Sequence, residues 1–323
     1  MTTDWKKIRE LYPATAKYTY LNTASCGLMS TQAIDHNKAF HFSLANQGSV
    51  YRDSQPIEMQ KVKKIVGEFI HSEAKDIALI PNFSNGINYV VPMLKPLGSV
   101  LLVENDYPSL TLPWQMHNFD IHWVPQSPQG VIDLDQIAKA LKTHHIKILA
   151  ISYVQYATGF KIPLESLSKI CAENNTLLIV DATQALGVVP IDLKNTPIDI
   201  LVSSCYKWTT AGFGNGILYL HPSITEQFET PVIGKNSTGL FSGVYNADTM
   251  GLQARTFEVG HYNYAAFLVL GYVMNELQRI GQQNIYNRVL ELALYFKERL
   301  PQQYTSISDY TPEQSYPLIY KGI

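Results

Sequence analysis

Short apolar runs recur along the middle of the chain, separated by polar and turn-forming residues. They are Ile77–Ile80, Val100–Val103, His122–Val124, Ile146–Ser152, Leu177–Asp181, Ile198–Ser203 and Ile217–Leu220. Runs of this length with at most one internal polar residue suit strands buried on both faces. Between them the apolar period changes to that of a helix. In Asp133–Lys142, residues Leu134, Ile137, Ala138 and Leu141 fall on one helical face, and Asp133 with Gln136 three residues on has the form of a capping box. Pro163 opens a second helix, carrying Leu164, Leu167 and Ile170, because proline is tolerated in a first turn. Strands alternating with helices, from about residue 56 to 220, predict an open, mostly parallel seven-stranded sheet covered on both faces. Such sheets bind ligands beyond the carboxyl ends of their strands. Past residue 220 the pattern changes: a loop-rich stretch, Ile233–Arg255, precedes two long helical patterns, Tyr264–Arg279 and Asn284–Leu300.

The chain of 323 residues exceeds one average domain, so a large domain with a smaller one is expected. The composition, 46% hydrophobic and 16% charged, provides for a sizeable core. A net charge of −2 gives no electrostatic reason to expect nucleic acid or anionic membrane as partner. No apolar run approaches the roughly 20 residues of a membrane span. The polar start, Met1-Thr2-Thr3-Asp4-Trp5-Lys6-Lys7, lacks a signal-peptide core and points to a cytoplasmic protein. Cys26, Cys171 and Cys205 read as reduced thiols without zinc-site spacing, and His144-His145 as a solvated helix end, so no metal is expected.

Candidate chemistry enters at two strand ends. The run Leu177–Val180 leads into Asp181, with Gln184 three residues on; the run Ile198–Ser203 leads into Ser204-Cys205-Tyr206-Lys207-Trp208. A lysine able to form an imine and a carboxylate able to pair with a ring nitrogen, on one edge of one sheet, suit a pyridoxal phosphate enzyme. The cofactor's phosphate needs backbone N–H groups and hydroxyls, best at a helix N-terminus. Pro81-Asn82-Phe83-Ser84-Asn85-Gly86 follows the first strand directly and offers the Ser84 hydroxyl. Taken locally, Ser84 is also a good N-cap residue. Ser204 and Tyr206 flank the lysine loop as further donors, and Tyr107, after the second strand, could stack on the ring.

These residues fall in a recognisable order. Tyr20-Leu21-Asn22-Thr23-Ala24, the Ser84–Asn88 turn, Tyr107-Pro108-Ser109 with Pro113-Trp114, Asp181-Ala182-Thr183-Gln184, Tyr206-Lys207-Trp208 and Phe257-Glu258-Val259-Gly260 run through residues 15 to 300. The chain resembles the class V aminotransferase family of fold-type I pyridoxal phosphate enzymes, in its cysteine desulfurase and isopenicillin N epimerase-like branch. The resemblance implies a PLP-dependent transferase fold and pyridoxal 5′-phosphate as cofactor. It makes Lys207 the imine lysine, Asp181 the partner of the pyridine nitrogen and Gln184 the hydrogen-bond partner of the phenolic oxygen. Ser84, the Phe83 amide, Ser204 and Tyr206 match phosphate-binding positions, Tyr206 standing where desulfurases carry histidine. Tyr107 falls where those enzymes stack a histidine. Gln155 is a candidate contact on the phenolic side, and Asn22 and Ala24 match the segment bordering the substrate. The implied substrate is an amino acid and the implied assembly a homodimer, with residues borrowed across its axis.

Two departures stand out. Gly260-His261 replaces a Gly-Thr whose threonine reaches the partner's phosphate, which makes His261 a candidate cofactor contact. The sequence ends at Lys321-Gly322-Ile323, before the arginine-bearing segment that grips the substrate carboxylate in family members. The division expected is an N-terminal segment (1–20), a large cofactor-binding domain (21–255) and a shortened, helical part of a small domain (256–323). Arg255 reads as structural, paired with a carboxylate such as Glu258. Desulfuration needs a nucleophilic cysteine on a loop, and all three cysteines read better as small apolar side chains. The expected activity is therefore proton abstraction at Cα of an amino acid, lyase or epimerase-like. A cofactor-binding protein with impaired catalysis and a true aminotransferase are the alternatives.

Overall fold

A computed structural model of the protein describes residues 3–238, 252–299, 301, 305–306 and 320–321. Most of the loop-rich stretch past Ile233, and Leu300 at the end of the last helical pattern, lie outside these residues. In chain order the elements are α1 (Trp5–Glu10), α2 (Thr31–Gln47), α3 (Ser49–Ile70), β1 (Ile77–Ile80), α4 (Phe83–Met93), β2 (Ser99–Val103), α5 (Pro108–Met116), β3 (Asp120–Val124) and α6 (Leu134–His144). There follow β4 (Ile148–Ser152), α7 (Leu164–Glu173), β5 (Leu177–Asp181), β6 (Ile200–Ser204), β7 (Gly216–Leu220), α8 (Pro222–Gln227), α9 (Tyr264–Ile280) and α10 (Gln282–Arg299). Two residue pairs, β8 (Thr305–Ser306) and β9 (Tyr320–Lys321), form a short antiparallel ladder.

The seven principal strands make one sheet in the order β1-β7-β6-β5-β4-β2-β3. All neighbours are parallel except β7, which runs antiparallel to both β6 and β1. Alternate residues sort onto the two faces. Leu101, Leu149, Ile151, Leu178, Val180 and Leu201 join one core with Met59, Val62, Val66 and Phe69 of α3 and Phe267, Leu270 and Met274 of α9. Val100, Leu102, Ile148, Ala150, Ile179 and Val202 join the other, with Ile87 and Val90 of α4 and Leu110 and Trp114 of α5. Central strands buried on both sides explain why they read as unbroken apolar runs rather than alternating ones.

Helix α2 and the first turns of α3 lie outside the pattern read from the sequence. Only Ala33 and Phe40 of α2 are buried, so its apolar stripe is faint. The stripe of α3 is interrupted by a buried lysine, Lys63. Asp133 does cap α6, but its carboxylate accepts from the Asp135 amide at 2.9 Å. A capping box would place that bond on Gln136. No helix among the described residues is long and apolar enough to cross a membrane.

Candidate active site

Parallel pairing aligns the carboxyl ends of β4, β5 and β6, and the register sets Ser152 beside Asp181 and Asp181 beside Val202. The chain leaves β6 at Ser204 and turns at once, the Ala211 amide returning to the Cys205 carbonyl at 3.0 Å and the Thr210 amide to that of Lys207 at 3.0 Å. Lys207 is thereby held at the sheet edge next to Asp181. The segment ahead of α2 braces this turn, with the Gly27 amide donating to the Tyr206 carbonyl at 2.9 Å.

The edge opens into a cavity of about 620 Å³ whose wall includes Phe83, Ser84, Tyr107, Asp181, Gln184, Ser204, Tyr206 and Lys207. Eight residues singled out in the sequence are thus brought to one place. Burial pushes the Asp181 carboxyl up to about 7, against hydrogen bonds from Thr183, whose amide donates at 2.8 Å. Burial also lowers the Lys207 ammonium below the ordinary lysine range, with Asp181 opposing the shift. A lysine so perturbed spends more of its time neutral, and only the neutral amine attacks a carbonyl. Its Nζ lies 5.7 Å from the centre of the Tyr107 ring and 5.8 Å from that of Tyr206.

Helix α4 directs its N-terminus at the same cavity. Its cap is Asn82, whose side chain accepts from the Asn85 amide at 2.9 Å. Ser84 therefore is not the cap; its hydroxyl, on the cavity wall, donates sideways to Ser109 Oγ at 3.0 Å. The Phe83 amide donates to Ser204 Oγ at 2.8 Å, which leaves the Ser204 proton free to donate onward. The helix can stand this close because Gly86 has no side chain: a Cβ there would lie 2.5 Å from Ile80 Cδ1 and 2.6 Å from Val202 Cγ1. The Phe83 amide expected among the phosphate donors is thus spent on Ser204, and the Ser84 amide with the clustered hydroxyls forms the donor set suited to a phosphate.

The remaining predicted residues sit elsewhere. Gln155 is buried behind the wall, donating to Asp106 at 3.0 Å and accepting from Gln126 at 3.2 Å. Asn22 and Ala24 lie outside the cavity wall, in the segment that leads to Gly27, and the Ala24 carbonyl accepts from Gln184 Nε2 at 3.0 Å. Gln184 Oε1 is engaged by the Trp208 indole at 2.8 Å. His261 lines a separate pocket with Phe40, His41 and Arg52. The ion pair expected between Arg255 and Glu258 is not formed. Lys63 takes Glu258 at 2.7 Å, and Arg255 Nε donates to the Asn236 carbonyl at 3.1 Å. Glu258 is buried beneath β1, where its carboxylate also accepts the Leu79 amide at 2.8 Å, and Lys63 is the cation that the packing of α3 delivers there.

Sequence reasoning passed over Thr183, Asn85, Asn88, Tyr156 and Phe213, which also line the cavity. For Thr183 a signal existed, since Asp-x-Thr at a strand end is a local side-chain-to-backbone turn. Asp106, beside Tyr107, carries no local mark of its role, though it is a buried carboxylate.

The family model of class V aminotransferases matches residues 19–318. The chain belongs to the class V aminotransferase family. The "Probable cysteine desulfurase" of Pyrococcus abyssi is 27% identical over 239 residues, 70% of this chain and 59% of the relative. Among solved structures, the apo cysteine desulfurase of Thermococcus onnurineus NA1 superposes with a TM-score of 0.87 at 21% identity, over 98% of this chain and 81% of that one. A C-DES variant with glycine covalently linked to its PLP cofactor gives 0.83 at 19% identity, over 97% and 84%. These similarities establish the mostly parallel, fold-type I architecture for this class V member.

Proposed function

We propose that this chain is a pyridoxal 5′-phosphate enzyme that takes the α-proton from an amino acid, in a lyase or epimerase-like reaction. The observation that carries the reading is the meeting of Lys207, Asp181 and the N-terminus of α4 around one cavity. Lys207 would hold the cofactor covalently, Asp181 would face its ring nitrogen, and Tyr107 would cover the ring. The Ser84 and Ser204 hydroxyls and the Ser84 amide would take the phosphate, the Phe83 and Asn85 amides being held by Ser204 and Asn82. Bound there, the cofactor supplies an electron sink for the pair left at Cα. The chain's own part is to accept the α-proton at Lys207 Nζ and to keep Asp181 charged toward the ring.

The same reading implies a homodimer. His261 lines a pocket separate from the cavity of its own protomer, so any contact it makes with a cofactor would be with a partner's. Light scattering of the purified protein should give twice the mass of 36.4 kDa.

The test is spectroscopic first and chemical second. The purified protein supplied with pyridoxal phosphate should show a band near ~420 nm that borohydride fixes covalently and Lys207→Ala lacks. Loaded protein in D₂O should then exchange the α-proton of its substrate, a readout common to every reaction branch. No band would remove the cofactor reading; a band without exchange across the common amino acids would remove the enzyme reading.

A further inference from the structure

Behind the cavity wall lies a second buried carboxylate. The chain turns out of β2 through Asn105, which takes a left-handed conformation (φ 58°) and points Asp106 back under the sheet edge. Asp106 Oδ1 accepts from the Tyr107 amide at 2.7 Å and the Ser152 hydroxyl at 2.6 Å. Its Oδ2 accepts from the Ser152 amide and the Gln155 side chain, both at 3.0 Å. All four donors are neutral, and two of them are backbone amides that can only donate. Burial raises the proton affinity of Asp106, and these four donors oppose that shift, favouring the ionised form. Ser152 in turn is the register partner of Asp181. Two carboxylates therefore stand at the ends of β2 and β5 with only β4 between them. The titratable side chains facing the cavity are Asp181, Lys207, Tyr107, Tyr156 and Tyr206; of these only Lys207 is cationic.

We infer that Asp106 is a positioning residue: its fixed negative charge favours a proton on the ring nitrogen that faces Asp181, and its grip on the Tyr107 amide seats the covering ring. The inference rests on the functional reading above. Two sheet spacings separate β2 from β5, about 10 Å. A unit charge at that distance, at the effective dielectric of a buried site, changes a proton affinity about tenfold. The raised proton affinity of Asp181 carries the same sign, Asp106 contributing to it after burial.

The experiment compares two cofactors on the full-length protein: pyridoxal phosphate and its 1-deaza analogue, in which ring C–H replaces the nitrogen. The ratio of their dissociation constants reads the site's preference for a protonated ring nitrogen. In Asp106→Asn this preference should fall about tenfold. Gln155→Leu, which removes one donor and leaves the cavity wall in place, should lower it in the same direction by less. A purely structural role would weaken both cofactors equally and leave the ratio unchanged. The wild-type ratio in a folded Asp106→Asn protein, or in Gln155→Leu should the first variant not fold, overturns the proposal. Uptake of neither cofactor by the wild type would overturn the functional reading instead, and this inference with it.

Discussion

Lys63 Nζ lies 2.7 Å from Glu258 Oε1, and the two residues are each 3% exposed. The pair ties α3 to the segment ahead of α9 and, through the Leu79 amide, to β1. The Tyr262 hydroxyl closes the remaining side of the carboxylate. Removing one member leaves the other charged and buried, which costs about 3–5 kcal/mol, far more than an exposed pair contributes. Lys63→Met and Glu258→Gln should each lower the guanidinium midpoint by that equivalent. The double variant should recover much of the loss, because glutamine still accepts from Leu79 and no charge is stranded. Additive losses in the double variant would show that the pair is not the connection.

Asp181 makes the stability of the cofactor-free protein depend on pH. Its carboxyl titrates near 7 when folded against 3.8 as the ordinary value. Between those values the folded state holds a proton that the unfolded state has released. Stability from this group is therefore full below pH ~4 and falls as pH rises toward 7, by roughly 4 kcal/mol at most. Asp181→Asn should remove the slope. Melted without cofactor at pH 8, the variant should be more stable than the wild type, and the gap should close near pH 4.5. A variant less stable at pH 8 would mean that the buried charge is already well compensated.

Strand runs and the Asp181 and Lys207 ends were legible because burial on both faces and a sharp strand exit leave local marks in sequence. What joins distant segments left none. Lys63 looks like any helix lysine until α9 packs against α3, and Glu258 was assigned to Arg255 because that residue was near in sequence. Ser84 and Asn82 are equally good caps by residue type; only the structure shows Asn82 taking the cap and freeing the serine. Gln155 lies next to the right strand but faces Asp106, an orientation that depends on the Asn105 turn.

The phosphate cradle predicts a selective defect. Ser84→Ala and Ser204→Ala each delete one hydroxyl that would donate to an anion, so each should weaken pyridoxal phosphate binding about tenfold. Pyridoxal, which lacks the phosphate, should bind the variants and the wild type alike. Equal losses for both compounds, read by titrating the visible band, would place these serines in structural support of α4 only.

The three thiols differ in access. Burial pushes Cys171 up to about 12 and raises Cys205 as well, whereas Cys26 is half-buried beside the lysine turn. A thiol reagent should label one fast site, lost in Cys26→Ser. That variant should keep α-proton exchange within about twofold of wild type, since no step drawn above uses a thiol. Release of sulfur from cysteine that disappears in Cys26→Ser while exchange persists would instead make Cys26 a sulfur acceptor and the protein a desulfurase.

Gly27 couples the N-terminal segment to the lysine turn by close contact as well as by its amide's hydrogen bond to the Tyr206 carbonyl. A Cβ there would lie 1.9 Å from the Lys207 carbonyl oxygen, a backbone atom that cannot rotate away. Gly27→Ala must therefore displace either the Asn22–Gly27 segment or the lysine turn, and overpacking of this kind costs about 1–3 kcal/mol. Because the turn carries Lys207, cofactor loading should drop at least about tenfold while most of the fold's stability remains. Gly260→Ala, where nothing lies within 4 Å of an added Cβ, serves as the matched control and should load normally. Full loading in Gly27→Ala would mean that the N-terminal segment yields instead of the turn, and that the lysine's position is set by β6 and Thr210 alone.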